Sequence, residues 1–208
     1  KTWYDQSVTN EAGDTATGHH AVQATAANQP KIVNAGSLVA DSGIDFDGSN
    51  FLAATPVSGL EGSFSMFATS VRDSGSGYVV SISKSAANNR YFAIQEGGSA
   101  SNAVPRNSTS GVSASDSVSG STRLTFALTT SSTSTSAGAL GSAVTTTTDD
   151  YGDNFISNSG MNQIAIGLLR TVNPTGFFSG RIREILVYTS DQTANRTALE
   201  ANIGEAYS

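Results

Sequence analysis

The longest β-strand signal in the chain is the run Gly180-Arg181-Ile182-Arg183-Glu184-Ile185-Leu186-Val187-Tyr188. Its second half consists of branched aliphatic and aromatic side chains, which are enriched in strands. Gly180 has no side chain and would let the chain enter this strand in close packing with its neighbours. We therefore predict a long strand that extends from Phe177 to Tyr188.

Further strand-like runs are separated by clusters of Gly, Ser, Asn and Asp. They are Ser63–Val71, Tyr78–Ile82, Tyr91–Gln95, Arg123–Thr129 and Gln163–Leu169. Arg123–Thr129 alternates apolar and polar residues, as a half-buried strand requires. Ser63–Val71 carries apolar residues on both faces, which predicts a central strand. Tyr78–Ile82 and Tyr91–Gln95 are expected to pair as a hairpin.

Only the end of the chain shows a helical pattern. Leu199, Ile203 and Tyr207 recur every four residues and form one apolar stripe, with Thr189 or Asp191 as the cap. Many short strands, Gly-rich turns and a single late helix predict an all-β fold, a two-sheet antiparallel jelly-roll sandwich with one C-terminal helix. We expect residues 1–208 to form a single domain.

Two stretches are poor in apolar residues. Residues 97–120 are rich in Ser, Asn and Gly and predict an exposed loop. Residues 129–150 form a Ser/Thr tract, in which we expect a thin β-hairpin around Ala137–Ser142 because threonine favours strands. The alternative for this tract is a disordered linker.

Composition excludes several classes of function. The 208 residues include no cysteine, which excludes disulfides, thiolate zinc sites and cysteine nucleophiles. Charged residues make up 13% of the chain, the net charge is −6, and the 11 Lys and Arg residues form no basic stripe, so nucleic-acid binding is not expected. No apolar run has the length of a membrane span. Because the chain starts at Lys1, we expect a fragment or the ordered part of a longer protein.

One turn-forming motif is flanked by aromatic residues. Asp47-Gly48-Ser49-Asn50 predicts a turn between two strands. Phe46, Phe51 and Leu52 on either side of it are predicted to anchor the core.

Three segments together resemble a known family. They are Trp3-Tyr4-Asp5-Gln6-Ser7 with the later Ala21–Pro30, Ile44–Leu52 around the turn, and Gly176–Tyr188 followed by the helix Arg196–Ile203. Their order and spacing resemble the concanavalin A-like (laminin-G-like) domains of phage virion proteins and bacterial surface proteins. The opening segment also resembles the jelly-roll catalytic domain of fungal α-L-arabinofuranosidase B. That domain relies on cysteines, which are missing from this chain.

Aromatic residues are the candidates for carbohydrate binding, because a ring can stack on the apolar face of a sugar. We single out Tyr151, Trp3 and Tyr91. The position of Trp3 in the first strand also allows a role in the core or an interface.

Acidic residues cluster most densely in Asp149-Asp150-Tyr151-Gly152-Asp153. Asp149, Asp150 and Asp153 are candidate ligands for calcium, the only cofactor that the residues suggest. The alternative is a solvated turn. The pair His19-His20 has no third ligand at matching spacing, so we expect an exposed loop there.

No catalytic residue is assigned. A glycoside hydrolase needs two carboxylates that flank the scissile bond. Glu184 lies in an apolar strand, where burial raises the pKa of a carboxyl group. However, Arg181 and Arg183 flank it, which favours an ion-paired or solvent-facing side chain.

The resemblance implies a non-enzymatic structural or adhesion module of a virion, such as a capsid decoration, spike or fibre domain that binds host-surface polysaccharide. Other virion or assembly subunits, further copies of the chain and host polysaccharide are the expected partners, and the expected location is the virion or the extracellular space. The first alternative is a carbohydrate-binding module of a secreted bacterial protein. The second is a glycoside hydrolase on the same fold.

Overall fold

The computed structural model describes residues 2–3, 20–39, 43–54, 64–84, 87, 90–98, 100–107, 110–111, 114–117, 122–131, 134–139, 145–148, 161–170 and 172–206. Within these ranges the chain is an antiparallel β-sandwich with one C-terminal helix. The predicted all-β jelly-roll fold is confirmed.

One layer, which we call sheet A, contains nine of the described strands. In hydrogen-bonded order they are β1 (Thr2–Trp3), β2 (Ala21–Val22), β6 (Leu52–Ala54), β16 (Gln163–Ile166), β8 (Gly77–Ser83), β9 (Arg90–Glu96), β10 (Ala100–Asn107) and β11 (Ser110–Gly111), with β12 (Ala114–Ser117) also paired to β10. The antiparallel pairing of β8 with β9 confirms the predicted hairpin.

The second layer, sheet B, contains six described strands. In order they are β15 (Thr145–Thr148), β14 (Ser134–Ala139), β13 (Thr122–Ser131), β7 (Ser65–Arg72), β17 (Ser179–Tyr188) and β5 (Ile44–Asp47). The long strand predicted from Phe177 to Tyr188 is present as β17, but it begins at Ser179, two residues later than predicted. A separate hairpin consists of β3 (Val33–Asn34) and β4 (Ser37–Leu38).

The core lies between the two sheets and is fully apolar at its centre. Phe46, Phe64, Met66, Ile82 and Phe92 are 0% exposed. The rings of Phe64 and Phe92 meet edge to face across the sandwich, with centroids 4.7 Å apart. Because β7 contributes buried residues at consecutive positions, it is the central strand that the sequence predicts.

The helix α1 (Arg196–Ala206) covers the outer face of sheet B. Ile203 and Leu199 pack on Phe67, as their spacing predicts. Tyr207 lies outside the described residues. The cap differs from the expectation, because the Asp191 carboxylate accepts a hydrogen bond of 2.9 Å from the Thr193 amide in a 3-10 turn that precedes α1.

The described residues between 97 and 120 form mainly β-strands, so the exposed loop predicted there is wrong for this part of the segment. The segment supplies β10, β11 and β12, and β10 pairs with β9 from Ser101 opposite Glu96 to Asn107 opposite Arg90. Strand pairing uses backbone groups, so a strand near the edge of a sheet can form without a run of apolar side chains. The hairpin predicted in the Ser/Thr tract is present, with Ser134 opposite Thr148.

The predicted strand Gln163–Leu169 is too long by three residues. The observed strand ends at Ile166, because Gly167 adopts a φ of +86° and turns the chain out of the sheet. None of the described helices is long and apolar enough to cross a bilayer.

Candidate functional site

The outer face of sheet A carries a row of small residues that crosses seven strands. Ile164 and Ile166 lie in the core, so Ala165 between them points outward. The same alternation places its cross-strand partners on the outer face. This outer row consists of Thr2, Val22, Ala53, Ala165, Ser81, Ala93 and Val104, each directly opposite the next.

Part of the outer row is covered by a segment that we call the strap, residues 167–170 and 172–176. Leu169 packs on Tyr91 and Ala93, with Tyr78 and Val104 beside them. Ser81 and Ser83 are fully buried although they are polar. The strap lies flat on this half of the sheet because the row beneath it offers small side chains.

Both ends of the strap are fixed by glycine. Gly167 has a φ of +86° and Gly176 a φ of +61°, conformations that side chains disfavour. Between them, Leu169 and Thr175 exchange two backbone hydrogen bonds of 3.0 Å. The Phe178 amide donates a bond of 2.8 Å to the Gly167 carbonyl, so the end of the strap returns to its beginning.

Buried polar side chains hold the strap to the sheet. The Ser81 hydroxyl donates a hydrogen bond of 2.9 Å to the Leu168 carbonyl. The Arg170 carbonyl accepts bonds from the Ser83 hydroxyl and from the Gln163 side-chain amide, the latter at 2.6 Å. Gln163 also donates to the Ser83 hydroxyl at 3.1 Å. The buried hydroxyls and amide are therefore satisfied by the strap backbone.

The strap directs the Arg170 side chain toward Phe51. The guanidinium carbon lies 6.0 Å from the centroid of the Phe51 ring, at the outer limit of a cation–π contact. Both side chains are partly exposed. Within the described ranges, Arg170 forms no ion pair with a carboxylate.

The other half of the outer row is open. Val22 is 48% exposed, Ala53 is partly exposed and Thr2 is exposed. Phe51 lies two residues before Ala53, so the alternation of side chains places both on the same face of the sheet. We call Val22, Phe51, Ala53 and Arg170 the Phe51–Arg170 patch. It combines the aromatic ring of Phe51, the short aliphatic side chains of Val22 and Ala53, and the cation of Arg170 at its border.

The segment Ala21–Pro30, which is part of the family resemblance, holds the backbone of Phe51 in place. The side-chain amide of Gln23 donates to the Phe51 carbonyl at 3.3 Å, and its oxygen accepts a bond of 3.0 Å from the Thr25 amide. Gln29 donates to the Gln23 carbonyl at 2.9 Å. The 3-10 turn Ala26–Asn28 is thereby tied to Phe51, which directly precedes β6.

A second group of charged residues lies at the edge strand of sheet B. Arg181 forms an ion pair of 3.3 Å with Asp73 and lies opposite Asp45 in the strand register. Burial raises the pKa of the Asp45 carboxyl, and the negative charge of Asp73 raises it further, while Arg181 and Lys31 oppose the shift.

Asp47 in the predicted turn behaves in the opposite way. The Ser49 hydroxyl donates a hydrogen bond of 2.6 Å to its carboxylate, and this bond lowers the pKa of Asp47. The predicted turn is confirmed, with Gly48 at a φ of +85°. In the described ranges, no three acidic or histidine side chains are arranged so that they could hold a metal ion.

Two of the three predicted carbohydrate-binding residues lie within the described ranges. Trp3 is partly buried and packs against the core. Tyr91 is 4% exposed and lies beneath Leu169, with its ring centroid 6.1 Å from that of Tyr78. Tyr151 lies outside the described residues, so sugar stacking by these three side chains stays a prediction.

The remaining candidates are placed as follows. The proposed calcium ligands Asp149, Asp150 and Asp153 lie outside the described residues, as does His19, and His20 is partly exposed. Glu184 is partly buried, opposite Thr69. Of these residues, the described His20 and Glu184 do not belong to the Phe51–Arg170 patch.

Sequence reasoning missed both central residues of the patch. The sequence predicts Phe51 as a core anchor together with Phe46 and Leu52. Phe46 and Leu52 are 0% and 1% exposed, but Phe51 lies on the outer face. The alternation of strand side chains could have shown this, because Phe51 directly precedes a core residue. Arg170 has no such signal, since its position depends on the strap.

Comparisons with known proteins give the fold. No family model matches the chain, and no curated protein matches it. Among solved structures, the Ruminococcus gnavus IT-sialidase CBM40 bound to α2,3-sialyllactose is similar with a TM-score of 0.58 and 15% identity, over 68% of this chain and 84% of that chain. The binding domain of botulinum neurotoxin DC in complex with SialylT has a TM-score of 0.60 and 10% identity, over 85% of this chain and 45% of that chain.

The leech intramolecular trans-sialidase is a third neighbour, with a TM-score of 0.58 and 14% identity over 70% of this chain. The matched region spans only 24% of that enzyme. At these identities the likeness establishes a shared β-sandwich, of the kind found in carbohydrate-binding modules, and nothing finer.

Proposed function

We propose that this chain is a non-catalytic carbohydrate-binding module whose ligand lies on the Phe51–Arg170 patch. The observation that carries the proposal is the partly exposed Phe51 ring on the outer face of sheet A, beside the guanidinium of Arg170. An aromatic ring next to convergent polar groups is the usual composition of a sugar site, because a sugar ring has apolar C–H faces and a polar rim.

The shape of the patch also suits a sugar. Val22 and Ala53 are short, so they leave a shelf beside the taller Phe51 ring. The strap forms one border of the shelf and is held by buried hydrogen bonds whether or not a ligand is present. A site that is already formed loses less conformational entropy when it binds.

Structural neighbours support the class of ligand. The similar CBM40 domain is described as bound to sialyllactose, and the similar toxin domain as in complex with SialylT. We therefore choose sialylated glycans as the first probes. Binding without hydrolysis is proposed because the patch residues are aromatic, aliphatic and basic, whereas a glycosidase needs two flanking carboxylates.

The test is a glycan array with the purified chain, followed by calorimetry with the best ligands and with sialyllactose. Phe51→Ser should abolish binding, because it removes the stacking surface. Leu38→Ser is the matched control, since it removes an exposed apolar side chain on the separate β3–β4 hairpin and should leave affinity unchanged. Full affinity of the Phe51→Ser variant would overturn the proposed site.

A second candidate function is that of an assembly or adhesion subunit of a virion, as the resemblance to laminin-G-like phage domains implies. The β3–β4 hairpin favours it, because Leu38 is 80% exposed, and Ile32 and Val33 are 49% and 46% exposed. Exposed apolar clusters are typical of contact surfaces. The hairpin would then contact a neighbouring subunit in a virion or extracellular assembly.

Light scattering over a range of concentrations tests this second function. We expect the chain to self-associate and Leu38→Asp to shift it toward the monomer. A monomeric wild-type chain at all concentrations would argue against self-assembly through this hairpin.

A further inference from the structure

We propose that the Phe51–Arg170 patch selects acidic sugars, with the sugar carboxylate on the Arg170 guanidinium and an apolar face of the same sugar ring on Phe51. This inference rests on the proposed function and deepens it, because it names the chemical class of the ligand. The selectivity depends on the sugar carboxylate, a group that neutral sugars lack.

The guanidinium of Arg170 has a different environment from those of two other arginines in the described ranges. Arg181 pairs with Asp73 at 3.3 Å and Arg196 with Glu200 at 2.7 Å, so the charges of these two arginines are compensated within the protein. In the same described part of the chain, the guanidinium carbon of Arg170 lies 6.0 Å from the centroid of the Phe51 ring, and Arg170 forms no ion pair with a carboxylate. The carboxylate of a ligand could therefore pair with the Arg170 guanidinium without competing with a carboxylate of the protein.

The backbones of Arg170 and Phe51 are both held in place by hydrogen bonds from buried side chains. The Arg170 carbonyl is held by Ser83 and Gln163 from below, so the base of this side chain is fixed. The Phe51 carbonyl is held by Gln23 from the other side. Neither anchor involves the guanidinium or the ring, so both remain available to a ligand.

Guanidinium presents its N–H donors in a rigid plane that matches the two oxygens of a carboxylate, and such charged bonds are stronger than bonds to neutral hydroxyls. A hexuronic or nonulosonic acid carries a carboxylate on the same ring that exposes apolar C–H groups. A cation beside an aromatic ring therefore fits both features of one residue of an acidic glycan.

The overall charge of the protein does not favour acidic sugars, so the preference depends on local contacts. The chain has a net charge of −6, which repels anionic ligands in general. An anionic sugar would thus be bound through local contacts and not through a diffuse positive field. We expect the preference for acidic sugars to decrease as ionic strength rises. The decrease should be small, because a single, partly buried ion pair is screened less than charges in full contact with solvent.

The experiment compares sugars that differ only in the carboxylate. Methyl glucuronide is paired with methyl glucoside, methyl galacturonide with methyl galactoside, and sialyllactose with the derivative whose sialic acid carboxylate is converted to the carboxamide, each titrated by calorimetry or by NMR chemical shifts. For the wild type we expect about tenfold tighter binding of the acidic member in at least one pair, which is the usual gain from a charged hydrogen bond.

Two variants identify the residue responsible. Arg170→Gln should reduce affinity for the acidic sugar about tenfold and leave affinity for its neutral partner nearly unchanged. The variant should fold, because Ser83 and Gln163 bind the backbone carbonyl of residue 170, and its melting temperature checks this. Arg181→Gln is the control for removal of a positive charge elsewhere and should retain the preference.

The outcomes separate this inference from the proposed function. Equal binding of acidic and neutral sugars by the wild type would overturn the selectivity and leave the module intact. A preference that persists in Arg170→Gln would also overturn it. Absence of binding to any sugar would overturn the proposed function and this inference together.

Discussion

Gly167 lies against the ring of Phe46 so closely that no methyl group fits between them. A Cβ atom at residue 167 would overlap two carbon atoms of that ring. The Gly167 amide donates a bond of 2.9 Å to the Val79 carbonyl, so the backbone cannot easily move away. The strap is therefore anchored directly to the core of the sandwich.

Gly167→Ala should destabilise the fold by about 2 to 4 kcal/mol, from overpacking and from the positive φ together. Gly75→Ala is the matched control, because Gly75 has a φ of +65° and no atom within 4 Å of the place that an alanine methyl group would occupy. It should cost about 1 kcal/mol. Urea unfolding measures both changes, and equal costs would contradict the contact with Phe46.

Gln23→Leu should destabilise the fold by about 1 to 3 kcal/mol, because it removes two hydrogen bonds of a residue that is only 8% exposed. It should also weaken glycan binding, since Phe51 loses its support. Gln29→Leu removes one bond of a more exposed side chain and should cost less than about 1 kcal/mol. The same cost for both variants would show that Gln23 has no special role.

Asp45 should make the fold less stable as pH rises. The pKa of Asp45 in the folded protein is raised above its unfolded value of 3.8. Ionisation of Asp45 therefore lowers the free energy of unfolding. This loss is absent below pH 3.8 and complete once the pH exceeds the folded pKa. Asp45→Asn lacks this cost. The melting temperature of the variant relative to the wild type should therefore be higher at pH 7 than at pH 3, and the opposite trend would contradict the pKa direction.

Ile203→Ala should cost about 2 to 4 kcal/mol, because Ile203 is 3% exposed and packs α1 on Phe67. Val172→Ala is a comparison on the strap, where the side chain is 51% exposed, and should change stability by less than about 0.5 kcal/mol. Thermal unfolding distinguishes the two. A small effect at Ile203 would mean that the helix contributes little to the sandwich.

The fold was predictable because its signals are local. The aliphatic run of β17, the alternation around Phe46 and Leu52 and the stripe of Leu199 and Ile203 depend on near neighbours in the sequence. The strands at 97–120 escaped prediction because their pairing with β9 depends on backbone groups, which leave no trace in side-chain hydrophobicity.

The candidate site was less predictable because it depends on long-range register. Trp3 and Tyr91 are suitable side chains for sugar stacking, but one packs on the core and the other lies under Leu169. Burial of this kind follows from tertiary contacts. Likewise, nothing near Arg170 in the sequence indicates that its guanidinium lies beside Phe51, more than a hundred positions away.

The outer row offers a route to altered specificity. Thr2, Val22 and Ala53 lie side by side on three neighbouring strands, outside the half of the sheet that the strap covers. Their outward side chains can be varied in a display library while the glycine ends and buried anchors of the strap are kept constant. The same scaffold could thus offer a ligand many differently shaped binding surfaces without any change in the length of a loop.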